Sequence, residues 1–185
     1  MPLIRAAVRN DVPEAADAPM QVVRAAALTG DAEKLAEIAV AGNDPLAREA
    51  ALTALARARD SRAIEALVRL IRIDDPALRN SVVETLQSMG EPVIDAIRPL
   101  LDDPNPNMRI YALNVLEGIV SPRSARVAME VALADPHVNV CAGAVDVIAA
   151  CGTPDMAAAL AKVPARFPDH PFLAFAVRAA LPRLG

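Results

Sequence analysis

His137 and Cys141 stand four residues apart in a stretch of helical pattern, so both fall on one helix face. His170 lies about one repeat further on, at a corresponding helix start. Imidazole and thiolate are zinc ligands, but a site needs three or four such donors about 2.0–2.3 Å from the metal. Neighbouring helix axes run about 8–10 Å apart, which permits convergence, yet no further ligand pattern supports it. Cys141 therefore reads as a small buried thiol rather than a reactive one, which would need an electropositive, partly exposed setting. The two cysteines, Cys141 and Cys151, fall in one predicted helix and its end, a poor arrangement for a disulfide. The sequence holds no nucleophile elbow, Walker loop, dinucleotide fingerprint or Asp-x-Asp-x-Asp calcium loop. No catalytic, cofactor-binding or metal-ligating set is expected.

Charged pairs are the other chemistry on offer. Asp44, Asp75 and Asp103 recur with Arg48, Arg79 and Arg109. Such pairs make either a recognition ladder or a structural lock, with each Asp capping its own helix and each Arg bonding a neighbouring loop; the lock is expected. Asp44, Asp74, Asp75, Asp102, Asp103, Asp135 and Asp169 fall in loops along one rim. They could greet a basic partner, but solvated caps are the simpler reading. Glu65, Arg69, Asp95, Arg98, Arg126 and Glu130 occupy non-core positions of alternate helices, and they are the candidate partner-binding residues.

The elements that place these residues come from a repeat. Asp-Pro occurs at Asp44, Asp75, Asp103 and Asp135, in steps of 31, 28 and 32 residues. A second series interleaves with it at Asp31, Asp60-Ser61, Glu91-Pro92, Ser121-Pro122 and Thr153-Pro154. Asp, Ser or Thr before Pro is a helix start: the side chain accepts from an orphan N–H, and Pro lacks the donor that would go unpaired. Gly30, Gly42, Gly90 and Gly152 are expected as left-handed stops. Two start signals per period mean two helices per repeat.

Aligned first helices share a register. Arg48 precedes Ala51, Leu52 and Leu55; Arg79 precedes Val82, Val83 and Leu86; Arg109 precedes Ala112, Leu113 and Leu116. Cys141 takes the Arg position before Ala144, Val145 and Ile148, and Ala174 takes it before Val177 and Leu181. In "AIEALVRLI" of a second helix, Ile64, Leu67, Leu70 and Ile71 form the inward stripe. No pair can bury its stripe alone, and stacking supplies the cover. The expected fold is all-α: a right-handed α-solenoid of about five antiparallel helix pairs plus a C-terminal helix. The pairs span about 17–41, 44–72, 75–101, 103–134 and 135–163, and the final helix about 171–183. Residues 1–16, of weaker periodicity, are an N-terminal arm or capping segment outside the 17–185 repeat domain. Phe167, Phe172 and Phe175 form either the core of a C-terminal cap, the preferred reading, or a docking patch.

Composition agrees with stacked helices. Of 185 residues 54% are hydrophobic but only 2% aromatic, so stability must come from many modest contacts. A formal charge of -4 argues against a dedicated nucleic-acid binder, which carries a basic stripe. No apolar run reaches membrane-spanning length, and "MPLIRAAVRNDVPEAAD" lacks a signal-peptide core. The cytoplasm is the expected compartment, with no membrane or nucleic-acid partner.

"DPLAREAALTALARARDSRAIEALVRLI" and "DDPALRNSVVETLQSMGEPVIDAIRPLL" resemble HEAT-like repeats of the phycobilin lyase type. The resemblance extends loosely over residues 17–185. It implies the solenoid fold and second helices lining a concave surface, and it is compatible with pigment lyases, scaffolds and adaptors alike. Related solenoids that bind iron use His-Glu pairs, and this chain has no His-Glu dipeptide. Those that excise alkylated DNA bases need a basic, aromatic groove that an acidic chain with one Tyr does not offer. The expected function is a non-catalytic scaffold or adaptor gripping another protein on the concave face. The alternatives are a bilin lyase-like or pigment-handling subunit, and a structural subunit of a larger assembly.

Overall fold

The computed structural model describes residues 18–41 and 44–184. Eleven α-helices follow in order: α1 (Ala18–Thr29), α2 (Ala32–Ala41), α3 (Pro45–Ala58), α4 (Ser61–Leu70), α5 (Pro76–Met89), α6 (Val93–Leu101), α7 (Pro106–Gly118), α8 (Pro122–Ala134), α9 (Val138–Cys151), α10 (Ala157–Leu160) and α11 (Pro171–Ala180). Three 3-10 turns, Pro154–Met156, Val163–Arg166 and Leu181–Leu184, complete the described elements, which include no strand. The capping segment expected at residues 1–16 lies outside the described residues, as do Gly42 and Gly185.

The helices form two layers. α1, α3, α5, α7, α9 and α11 pack each on the next, and α2, α4, α6, α8 and α10 do the same beside them. This is an α-solenoid of HEAT type. The register positions supply its spine: Ala51, Leu52, Leu55, Val82, Leu86, Ala112, Leu113, Leu116, Ala144, Val145 and Ile148 are all buried. From the second layer Ile64, Leu67, Leu70 and Ile71 reach the same core. Small alanines between the leucines, such as Ala51 and Ala112, let helix backbones approach closely. The fifth second helix is not continuous: 154–166 breaks into a 3-10 turn, the single turn α10 and another 3-10 turn.

Caps explain where many of the helices start, with four exceptions to the sequence expectation. Asp44 Oδ1 accepts from Leu46 N, Asp60 Oδ1 from Ala63 N and Asp75 Oδ1 from Leu78 N. Ser121 Oγ accepts from Arg123 N and Ser124 N. Asp103 and Asp135 are not helix caps. Each turns the loop by accepting from the N–H two residues on, at Asn105 and His137, and α7 and α9 begin only after that turn. From Asp to the register position these repeats carry two more residues (Asp103 to Arg109 and Asp135 to Cys141, against Asp75 to Arg79); the extra length is held in the loop, and Asn105 becomes the cap of α7 through Asn107 N. Glu91-Pro92 and Thr153 make no side-chain cap to a backbone N–H.

The stops differ too. Gly30 and Gly90 are left-handed, at φ 67° and 75°. Gly152 is not: its φ is -70°, and space rather than backbone freedom requires it. A Cβ there would lie 2.5 Å from Ile148 O and 2.6 Å from Leu184 Cδ2. Arg59 takes the left-handed stop after α3 without being glycine, at φ 51°, and its guanidinium donates to Met89 O in the next repeat at 2.6 Å.

Candidate functional site

The Asp/Arg series is a lock between successive repeats. Arg48 Nη2 lies 3.1 Å from Asp75 Oδ2, the cap of the next first helix. Arg72 Nη1 lies 2.6 Å from Asp103 Oδ2. Arg109 grips Asp135 with two nitrogens, Nε to Oδ2 at 2.7 Å and Nη2 to Oδ1 at 3.0 Å, with both side chains almost wholly buried. Arg79 turns back instead, donating to Ile71 O at 3.0 Å and Ile73 O at 2.7 Å, with its guanidinium 4.7 Å above the Tyr111 ring. Of the seven rim aspartates, Asp75, Asp103 and Asp135 are thus paired with arginine. Hydrogen bonds from Leu78 N to Asp75 and from Asn105 N to Asp103, then Arg48 and Arg72 respectively, hold both carboxyls below the usual range.

At the fifth repeat the lock is rebuilt from elsewhere. Arg79 and Arg109 each donate to the carbonyl six residues before themselves, Ile73 and Asp103. Cys141 cannot, and its Sγ contacts the equivalent carbonyl, Asp135 O, at 3.3 Å. Arg166, at the end of the broken second helix of the same repeat, fills the gap, with Nη2 2.7 Å from Asp135 O and Nη1 2.7 Å from Ala132 O and 3.5 Å from Cys141 Sγ. Burial pushes the Cys141 thiol up, and the Arg166 charge opposes this only in part. The thiol is a packed, protonated group.

The metal-like set does not assemble. Among the described residues no three His, Cys, Asp or Glu side chains gather as a metal site. His137 opens α9, while His170 stacks edge-on between Phe167 and Phe172. Phe172 and Phe175 do not form the core of the C-terminal cap expected of them. Phe172 and Phe175 are 45% and 67% exposed, and Leu173, Val177, Ala180 and Leu184 close the core instead. Only Phe167 packs against it, beneath the Arg166 guanidinium.

The six candidate partner-binding residues all lie on the layer of second helices. Four of them make ion pairs between neighbouring second helices: Arg69 with Glu33, Asp95 with Arg123, and Arg98 with Glu130. All these side chains are well exposed. Glu65 lines a small cleft with Arg62 and Glu33 between α2 and α4, and Arg126 stands exposed on α8. The pairing partners Glu33 and Arg123 are the residues that periodicity on single helices could not supply, because a pair across repeats depends on how one repeat turns against the next.

The family described as HEAT repeats matches residues 32–103, from the start of α2 to the loop after α6. The stacking of the remaining first helices continues the same architecture beyond that span. No curated protein matches the chain. No described helix is long and apolar enough to cross a membrane.

Proposed function

We propose that this chain is a non-catalytic scaffold or adaptor that binds a partner protein along its second-helix face. The observation that carries the reading is the exposed ribbon of cross-repeat ion pairs on α2, α4, α6 and α8. Exposed pairs contribute only about 0–1 kcal/mol each to stability. A partner carrying its own charges can therefore exchange them at little cost to the fold, while their alternating signs set its register. Glu65 and Arg126 extend the ribbon, and HEAT repeats commonly mediate protein–protein contact. The cytoplasm suits such a role.

The test is charge reversal on that face. Glu65→Arg with Arg126→Glu should leave the melting temperature within a degree or two and abolish capture of a stoichiometric partner by the tagged chain. Loss of folding, or capture unchanged by the reversal, would sink this reading. The likeness to phycobilin-lyase repeats is the sole ground for a pigment-handling role, and a visible absorbance band copurifying with the chain would favour it.

A further inference from the structure

On the opposite layer, α1 and α3 enclose an open groove of about 920 Å3. Met20, Val23, Ala50 and Ala54 line it, and Leu28 and Leu46 stand at its lips. Leu28 is 89% and Leu46 70% exposed, side chains that water solvates poorly. The next groove along the layer, between α3 and α5, has a similar volume of about 940 Å3 but is lined by Ser81, Glu84, Thr85 and Ser88. The contrast is position by position. Counting from Arg48 and Arg79, Ala50 corresponds to Ser81, Ala54 to Thr85 and Leu46 to Ala77. Glu49, Thr53 and Arg57 border both grooves, so the contrast lies at these exchanged positions, which make the α1–α3 groove the more apolar of the two.

Seventeen residues precede Ala18, where α1 begins beside the groove. Leu3, Ile4, Ala7 and Val8 have the spacing of one helical stripe. Asn10 to Pro13 reads as a turn. Residues 10–17, extended, reach at most about 26 Å. The groove wall from Met20 to Leu28 is about 12 Å long, and seven helical residues occupy about 10 Å. We propose that residues 3–9 are the occupant of the α1–α3 groove, with Leu3, Ile4, Ala7 and Val8 against Leu28 and Leu46.

Trypsin reads this directly, because Arg5 and Arg9 lie within the segment. Cleavage after each is timed by mass spectrometry in the full chain and in a free synthetic peptide of residues 1–17. Docking should slow cleavage in the chain by about tenfold or more, since cleavage tracks the open population. Leu28→Ser with Leu46→Ser should abolish that protection at an unchanged melting temperature. Should this variant melt early, Ile4→Ser with Val8→Ser, outside the described helices, gives the same readout. Equal rates in chain and peptide would overturn the proposal. Protection that survives both variants would too, as would protection that rises with protein concentration, which would assign the groove to a second copy.

Discussion

Arg166 donates to the carbonyl of Asp135 at 2.7 Å, the bond that an arginine of the repeat's own first helix makes at Ile73 and at Asp103. Cys141 occupies the position from which that arginine would come. The two residues are therefore alternatives for one carbonyl. Cys141→Arg alone should destabilise the chain by about 3 kcal/mol or more, because it crowds a second cation into a buried site. Combined with Arg166→Ala, a large part of that loss should return. Urea unfolding of both single variants and the double gives the coupling, and additive effects would show that the two do not share the site.

Arg109 and Asp135 form the most buried pair of the lock. Removing one partner leaves an uncompensated charge, so Arg109→Ala should cost about 3–5 kcal/mol. Arg109→Lys should recover little, since a single ammonium cannot reproduce the two-nitrogen grip. Arg79→Ala, which loses bonds to neutral carbonyls, should cost about 1–2 kcal/mol. Denaturant midpoints at constant slope will rank the three.

Acid should loosen the lock at Asp75 and Asp103. Both carboxyls titrate below their ordinary range, chiefly through backbone N–H donors and then arginine. Their contribution is fully present above the unfolded value near about pH 3.9, and it disappears as pH falls through the lower folded value. Melting temperature should hold from pH 6 to about pH 4 and fall below that. In Asp75→Asn and Asp103→Asn the plateau should be lower and the acid decline shallower; an unchanged decline would show that other groups carry it.

Gly143 within α9 and Gly152 just after it should answer substitution with opposite signs. A Cβ on Gly143 meets only Leu113, at 3.4 Å and beyond, so Gly143→Ala should stabilise by about 0.5–1 kcal/mol through helix propensity. Gly152→Ala forces a methyl against Ile148 O and Leu184 and should cost about 1–3 kcal/mol. Thermal melts of the two variants will decide.

The repeat was open to sequence reading because capping and helical period act within a few residues. Asp44, Asp60, Asp75 and Ser121 cap as their types require. Asp103 and Asp135 look the same in sequence, yet each folds into a loop turn, since a two-residue insertion moves the helix start beyond its reach. The candidate face was legible only in part. Arg69, Asp95, Arg98 and Glu130 could be placed on exposed second-helix positions, but Glu33 and Arg123, which pair with the first two of them, come from adjacent repeats. Phe172 and Phe175 misled because hydrophobicity alone favours burial, and at the last helix Leu173 and Val177 already fill the inward stripe.

By itself the sequence determined the helices, their pairing into a two-layer stack and the buried register from Ala51 to Ile148, all consequences of short-range caps and a 3.6-residue period. Only the tertiary structure decided which arginine meets which loop. Arg109 of one repeat grips Asp135 of the next, and the turn of one repeat on the next brings the two together. That rotation is set by how the side chains of neighbouring helices interlock, a property of the packed stack that no single repeat contains.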